Sequence, residues 1–103
     1  MLILNFKDNC KVNIHYGDKI WYQNNKRHRD NAPAVEYGDG GKAWYQNENL
    51  HRLDGPAVEY PSGSKYWYQN NKRHRDNGPA IERAGGGKEW WHNGKILATT
   101  PER

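Results

Sequence analysis

The sequence predicts an all-β protein: an elongated, single-layer antiparallel β-meander built from 23-residue hairpin repeats, with little or no helix. Three observations predict it: a strict internal repeat, short segments of β-branched and aromatic residues, and turn-forming residues between those segments. No window shows apolar residues at the 3.6-residue spacing of an amphipathic helix. We expect a single repeat domain over 1–103, with an N-terminal cap over 1–11, about four units over 12–97 and a tail over 98–103.

The composition agrees with a small domain whose core is thin. Leu, Ile, Val and Phe together number only 14 of 103 residues, and 5 Trp and 7 Tyr supply the large apolar side chains instead. Lys+Arg 16 against Asp+Glu 12 gives a net charge of +4, which permits acidic partners without requiring them. No segment has the apolar length of a membrane span. The lone Cys10 excludes an internal disulfide and predicts a reducing, cytoplasmic location.

The repeat is carried by positions that recur every 23 residues. Each unit has a tryptophan, a turn glycine, a lysine and a β-branched residue, and each of these recurs 23 positions later in the next unit. Because no insertion interrupts the interval, each unit is expected to stack on the next in one fixed way. The recurring sets are Trp21, Trp44, Trp67 and Trp90; Gly17, Gly40, Gly63 and Gly86; Lys19, Lys42, Lys65 and Lys88; and Val12, Val35, Val58 and Ile81.

The first predicted hairpin of each unit surrounds a turn that contains glycine. Two short apolar segments flank Asp39-Gly40, and both residue types tolerate the positive φ that tight hairpin turns need. Counting outward from a two-residue loop places Val35 opposite Trp44, a favourable cross-strand pair of a β-branched and an aromatic side chain. The same count predicts three more pairs: Val12 with Trp21, Val58 with Trp67, and Ile81 with Trp90.

Strand alternation then predicts which side chains share a face of the sheet. Val35, Tyr37 and Trp44 should point to one side, and Ala43 and Tyr45 to the other. Equivalent residues of successive units lie two strands apart, about 9.5 Å, so a β-branched residue fills the gap between successive indoles. We therefore expect a ladder of Trp and β-branched residues as the core, with the residue after each Trp facing outward.

A second turn follows each Trp-Tyr segment and predicts a second hairpin. Asparagine and glycine at its centre favour the left-handed backbone conformation. A polar connector then leads to a Pro-Ala pair, and the proline predicts strand entry or a bulge because it cannot donate to a ladder. Segments 2–6 and 96–98 depart from the repeat, so we expect them to cap the array. The predicted turns are Asn24-Asn25, Asn47-Glu48, Asn70-Asn71 and Asn93-Gly94.

The unit G-x-K-x-W-Y-x-N-x-x-x-H-R-x-x-G-P-A-[VI] resembles the MORN-type repeat in a divergent form. The shared features are the 23-residue period, the aromatic strand, the Asn-Gly-like turn and the turn glycine, and the resemblance covers roughly residues 12–97. The chain departs from the family where Arg29, Arg52 and Arg75 stand in place of glycine, and where Pro-Ala pairs follow. The resemblance implies an elongated single-layer sheet whose open face is a scaffold for protein contacts; some such modules are linked to acidic lipids.

The connectors carry repeated basic and histidine residues. Stacked at strand spacing, these residues should form a stripe along one edge that could grip phosphates or an acidic protein surface. The middle unit weakens the stripe, because Leu50 and Leu53 stand there instead of an arginine and an aspartate. The alternative is that the arginines pair with nearby acids such as Glu36, and the sequence leaves both interpretations open. The stripe consists of Arg27, His28, Arg29, His51, Arg52, Arg73, His74 and Arg75.

The spacing of the repeated histidines argues against a metal site. Ligand atoms must each lie about 2 Å from an ion. His28, His51 and His74 should instead be separated by about 9.5 Å from one unit to the next. His15 and His92 add no close spacing. We therefore expect neither a metal nor a cofactor.

No catalytic constellation is evident in the sequence. Ser62 and Ser64 lie in one hairpin turn and do not recur in the other units. Cys10 is followed five residues later by His15, with no third group to orient the histidine. The acidic residues form ladders rather than a pair in one pocket. We expect that the chain is not an enzyme.

One aromatic residue follows the repeated tryptophan in each unit and should point away from the core. A row of such rings could anchor a protein partner, stack nucleic-acid bases or form a homodimer. Alternatively, the rings cover a sheet that needs aromatic side chains on both faces. The row consists of Tyr22, Tyr45, Tyr68 and Trp91.

These patterns predict a non-enzymatic protein-binding repeat module, in which the aromatic row and the flanking stripe contact another protein. The small size suggests an inhibitor or adaptor that occludes a partner's surface, encoded by a virus or a mobile element. The alternative is binding of nucleic acid or an acidic surface through the repeated Arg/His stripe, which would weaken steeply with salt.

Overall fold

The computed structural model describes residues 1–7 and 9–100. These residues form short antiparallel strands and no helix, so the predicted all-β meander is confirmed. The molecule is elongated, with principal extents of 44 × 25 × 17 Å. Part of the predicted tail, 101–103, lies outside the described residues, as does position 8 of the predicted cap. The described part of the chain contains no helix of the length and apolarity needed to cross a membrane.

Most strands belong to one sheet that follows the chain order. Its hydrogen-bonded path is β1-β2-β3-β5-β6-β9-β10-β13-β14-β15, with β4 paired to β3. The pairs β7-β8 and β11-β12 form separate two-stranded ladders. The strands are β1 (Leu2–Asn5), β2 (Cys10–His15), β3 (Asp18–Gln23), β4 (Lys26–Arg27), β5 (Val35–Glu36), β6 (Lys42–Ala43), β7 (Tyr45–Gln46), β8 (Asn49–Leu50), β9 (Val58–Glu59), β10 (Lys65–Tyr66), β11 (Tyr68–Gln69), β12 (Lys72–Arg73), β13 (Ile81–Glu82), β14 (Lys88–His92) and β15 (Lys95–Thr100).

The asparagine turns after each Trp-Tyr segment adopt the predicted conformation. Asn47 has φ 48° and Glu48 has φ 74°, so both central residues lie in the left-handed region, as a two-residue hairpin loop requires. Gln46 pairs with Asn49 across this loop. The other three turns have the same geometry: Asn24-Asn25, Asn70-Asn71 and Asn93-Gly94.

The register of the glycine-containing hairpins differs from the prediction in three of the four cases. In the first hairpin Val12 does lie opposite Trp21. In the next one the amide of Tyr37 donates to Gly41 O at 2.8 Å and Gly40 N donates to Tyr37 O at 3.0 Å, which makes a three-residue loop. Gly40 takes the left-handed position with φ 98°, as in a type I turn with a bulge. The strands therefore pair Val35 with Ala43, Val58 with Tyr66, and Ile81 with Glu89.

This shift of one residue reverses the predicted facing of the tryptophans, because side chains alternate along a strand. Val35 shares its face with Ala43, whereas Trp44 lies on the other face, where Arg52 contacts both its ring and Glu59. The predicted core ladder of Trp and β-branched residues is therefore wrong. The indoles are half-buried, and the buried apolar residues are Val12, Ala34, Val35, Ala43, Ala57, Ala80 and Ile81.

The sheet consequently has two different faces. We call the face that carries Trp21, Trp44 and Trp67 the Trp face. The opposite face carries Tyr22, Tyr37, Tyr45, Tyr60, Tyr66, Tyr68 and Trp91, and we call it the Tyr face. It also carries the buried Val35, Ala43 and Ile81, so the prediction that the aromatic residue after each Trp points away from the core is wrong. Strands β1 and β15 occupy the outer positions of the described sheet, and their apolar side chains are exposed. Both faces of the layer thus carry aromatic rings.

Candidate functional site

The arginine of each His-Arg pair is held by internal contacts on the Trp face. The guanidinium of Arg52 lies 3.8 Å from the ring centroid of Trp44. Its Nη1 donates to Pro56 O and to Glu59 Oε2, each at 3.1 Å. Arg29 makes the same contacts with Trp21, Pro33 and Glu36. Arg75 makes them with Trp67, Pro79 and Glu82. The interpretation that these arginines pair with nearby acids is confirmed.

The histidines of the same pairs link successive units. The amide of Asn70 donates to His51 Nδ1 at 3.0 Å, and Asn70 is the first residue of the next asparagine turn. His28 accepts in the same way from Asn47, and His74 from Asn93. A neutral imidazole that accepts at Nδ1 carries its proton on Nε2. The repeated His residues thus fasten each turn to the unit before it.

The side chains of His74, Asp76 and His92 are possible metal ligands that lie close together, which the sequence did not predict. The ligand atoms of His74, Asp76 and His92 lie within 4.8 Å of one another, and the two imidazole centroids are 4.4 Å apart. The expectation that His92 adds no close spacing is therefore wrong. However, Asn93 N donates to His74 Nδ1 at 2.9 Å, so the proton sits on Nε2, which faces Asp76 at 2.8 Å. A metal on Nε2 would require the other tautomer and the loss of the Asn93 bond, which makes a hydrogen-bonded structural cluster the better description.

On the Tyr face the predicted aromatic row alternates with cations. The guanidinium of Arg27 lies 4.2 Å from the ring centroid of Tyr45, and its Nη1 donates to the phenol oxygen at 3.2 Å. Arg73 donates from Nε to Tyr68 at 3.3 Å and lies 4.8 Å from the ring of Trp91. Contacts of this kind between cations and aromatic faces are favourable by about 0.5–2 kcal/mol. The tyrosine of the first unit, Tyr22, has Lys11 at 5.2 Å from its ring.

The same face contains residues that were not predicted from the sequence. Arg83 Nη1 donates to the phenol oxygen of Tyr66 at 3.1 Å, and the ring of Tyr66 meets Tyr60 edge to face at 5.3 Å. Tyr37, Tyr60 and Arg83 recur at the 23-residue interval, so the repeat did contain a signal for them. Tyr37 and Tyr60 are 44% and 51% exposed, which makes them the most accessible rings of this face. Contacts between rings and cations therefore occur in each unit of this face.

Glutamates compensate part of the positive charge on the Tyr face. Glu48 forms an ion pair with Arg27, and Glu89 forms one with Arg83. Desolvation raises the pKa of Glu48, but hydrogen bonds from the amide and guanidinium of Arg27 lower it more, so the pKa lies below its usual range. Hydrogen bonds from Trp91 and Arg83 likewise lower the pKa of Glu89. Both carboxylates are therefore ionised and engaged at neutral pH.

The structure divides the predicted binding residues into two groups. Those on the Tyr face take part in contacts between aromatic rings and cations. Those of the His-Arg pairs take part in bonds within and between units. The first group is Tyr22, Tyr45, Tyr68, Trp91, Arg27 and Arg73; the second is His28, Arg29, His51, Arg52, His74 and Arg75.

Comparison of the chain with protein-family models, with curated proteins and with solved structures found no significant match. The resemblance to MORN-type repeats therefore stays a prediction, and the function is inferred from the two faces themselves.

Proposed function

We propose that the chain is a non-enzymatic protein-binding module that contacts its partner with the Tyr face, as a small inhibitor or adaptor that covers a partner's surface. The observation that carries this proposal is the set of arginines placed against tyrosine rings and phenol oxygens over one face of a single-layer sheet. Tyrosine, tryptophan and arginine are the residue types most enriched among interface residues that dominate binding energy.

The rings of the Tyr face are suited to this role because they are held in place before binding. Arg27 fixes Tyr45, Arg73 fixes Tyr68, and Arg83 fixes Tyr66. A side chain that is already ordered loses little rotamer entropy when a partner covers it. The half-buried rings thus supply large contact areas at low entropic cost.

Nucleic-acid or acidic-surface binding through the Arg/His stripe is the less favoured alternative. Arg29, Arg52 and Arg75 already bond a carboxylate and a carbonyl, so gripping a phosphate would break contacts that hold the units. On the Tyr face, cations lie over the rings of Tyr45 and Trp91 and cover surfaces on which bases would stack. A steep fall in affinity for single-stranded DNA with rising salt would favour this alternative.

In this proposal the serine and histidine side chains have structural roles and no catalytic one. Ser64 Oγ accepts a hydrogen bond from the amide of Ala84 at 2.9 Å, and Nδ1 of His51 is occupied by the amide of Asn70. Both side chains therefore connect units of the sheet. The lone Cys10 is consistent with our proposal of action in a reducing compartment such as the cytoplasm.

A capture experiment with matched variants tests the proposed face. The chain would be cross-linked to proteins of the source cell as the wild type, as Tyr37→Ser/Tyr60→Ser, and as Lys42→Ser/Lys65→Ser. The two lysines are exposed and lie on the opposite face, where each is directly across from Glu59 in a neighbouring strand. We expect a partner that is retained by the wild type and the lysine variant and lost by the tyrosine variant. A partner that the tyrosine variant retains as well as the wild type does would contradict the proposal.

A further inference from the structure

We propose that the partner segment that docks on the Tyr face is acidic, a stretch of protein rich in Asp and Glu. This inference rests on the proposed function and specifies the chemistry of the partner. On this face, phenol groups keep a hydrogen to donate, whereas the carboxylate acceptors are already used.

Three phenol oxygens of the face are fixed as acceptors by arginines. Arg27 donates to Tyr45, Arg73 to Tyr68, and Arg83 to Tyr66, at 3.1–3.3 Å. A phenol group has one hydrogen to donate and can accept at its oxygen. Since the arginine uses an accepting position of the oxygen, the O–H hydrogen is the part of each phenol group that is left for a partner.

Two further phenols on the face add donors. Tyr37 and Tyr60 are 44% and 51% exposed, so their hydroxyl groups can be reached by a partner. Burial raises the pKa of Tyr37, and Tyr45 beside it raises the pKa further. The Tyr37 phenol therefore stays protonated, and a donor, throughout the neutral range.

The carboxylates of the face are, by contrast, occupied. Glu48 accepts from both the amide and the side chain of Arg27. Glu89 accepts from Arg83 and from the indole nitrogen of Trp91, the latter at 2.9 Å. A partner that presented mainly donors would therefore find few free acceptors here.

The positive charge that is left on the face also favours an acidic partner. Within the described part of the chain, Arg73 and Lys11 contact aromatic rings but form no ion pair. Arg73 lies near the last unit and Lys11 near the first, so positive charge is available toward both ends of the row. Carboxylates satisfy both requirements, because they accept charge-assisted hydrogen bonds from phenol and guanidinium groups.

An extended polyanion of phosphates fits this face less well than an acidic polypeptide. The ionised Glu48 and Glu89 lie within the row and would repel a continuous chain of phosphates. An acidic peptide can place its carboxylates at the phenol groups and Arg73, and use backbone carbonyls or small side chains between them.

A random peptide library displayed on phage tests this inference even though the partner is unidentified. The library is selected on the wild-type chain after depletion on Tyr37→Ser/Tyr60→Ser. We expect the retained peptides to be enriched in Asp and Glu. Their affinity should fall about tenfold for Tyr37→Phe/Tyr60→Phe, which keeps the rings and removes two donors. The matched control is Tyr16→Phe in the first turn, where the ring is 92% exposed, and its affinity should be unchanged.

The outcomes separate the inference from the proposed function. Retained peptides that depend on the Tyr face but are neutral or basic would overturn the acidic partner and leave protein binding by this face intact. Peptides that bind the wild type and the serine variant equally, or no retained peptide, would overturn both. Face-dependent binding of a thymidine 20-mer, with a steep loss in salt, would point to nucleic acid instead. A circular-dichroism melt confirms that each variant is folded.

Discussion

The two faces of the sheet carry the same kinds of residue and use them differently. On the Trp face, the arginine of all three units stacks on an indole and bonds a glutamate and a proline carbonyl, and Arg52 bonds Asp54 in addition. On the Tyr face, the cations change from unit to unit: Leu50 replaces the arginine of the neighbouring units, and Arg83 takes the place of a tyrosine. The strictly repeated face holds the units together, and the varied face is the better candidate for binding.

This difference shows that strict repetition is not by itself a sign of a binding site. The His-Arg pairs recur without change because every interface between units needs the same bonds, as in other repeat architectures. A residue that contacts a partner is free to vary along the array, because a partner need not be periodic. The comparison predicts that Trp-face variants act on stability and Tyr-face variants act on binding.

The largest effect is expected when an indole of the Trp face is removed. Trp67→Ala should lower the free energy of unfolding by about 3 kcal/mol, since it removes a large ring and leaves Arg75 without its stacking surface. Tyr68→Ala, the adjacent residue on the other face, should cost clearly less. Denaturant unfolding of the two variants measures the difference, and equal losses would mean that the two faces do not differ as described.

A smaller effect is expected when the charge of a Trp-face arginine is kept and its shape is changed. Arg75→Lys should destabilise the fold by about 1–3 kcal/mol, because lysine cannot stack on Trp67 while it bonds both Pro79 and Glu82. Lys65→Arg, an exposed change on the same face, serves as the control and should stay within about 0.5 kcal/mol. An Arg75→Lys variant as stable as this control would show that charge alone is sufficient there.

The histidine links should contribute less than the arginine contacts. His74→Ala should cost about 1–2 kcal/mol, because it leaves the amide of Asn93 without its acceptor and removes the nearest partner of Asp76. His51→Ala should cost less, since the aspartate found after the other two histidines is Leu53 in this unit. Thermal or denaturant unfolding checks the order of the two variants. The reverse order would contradict the role assigned to these bonds.

The smallest effect is expected at the glycine beside each arginine, even though space there is tight. A Cβ added at Gly78 would lie 2.8 Å from Cζ of Arg75. The first unit already has Ala32 at the equivalent position, and its Arg29 keeps the stack on Trp21 at 3.7 Å. Gly78→Ala should therefore change the stability by no more than about 0.5 kcal/mol. A loss above about 1 kcal/mol would show that the guanidinium of the third unit cannot shift as Arg29 does.

Much of the fold could be predicted from the sequence because the relevant interactions are local. The absence of helix in the described chain, the antiparallel sheet and the four asparagine turns follow from short-range preferences for turns and strands. The register could not be predicted by counting, since Trp21 follows Val12 by nine positions and Trp44 follows Val35 by the same nine positions. The first hairpin closes with two residues because Tyr16 adopts φ 48°, whereas the second closes with three.

The candidate site was predicted only in part, for a related reason. The rings and cations were recognised as residue types, but their partners depend on the register and on contacts between units. Glu48 bonds Arg27, which lies 21 positions away in the sequence. The amide of Asn70 donates to His51, which lies 19 positions away. Sequence spacing alone could not assign Arg52 to internal bonds and Arg73 to the open face, since both are arginines of the same connectors.

The most direct test of the division between the two faces is a nuclear magnetic resonance titration of the indole N–H signals. The 15N-labelled chain would be mixed with a peptide or protein that it retains. Trp91 lies in the Tyr-face network through Glu89 and Arg73, whereas Trp44 and Trp67 lie on the other face beneath arginines. We expect the Trp91 signal to shift on binding and those of Trp44 and Trp67 to stay. Shifts of Trp44 and Trp67 with an unchanged Trp91 would contradict the assignment of the binding face.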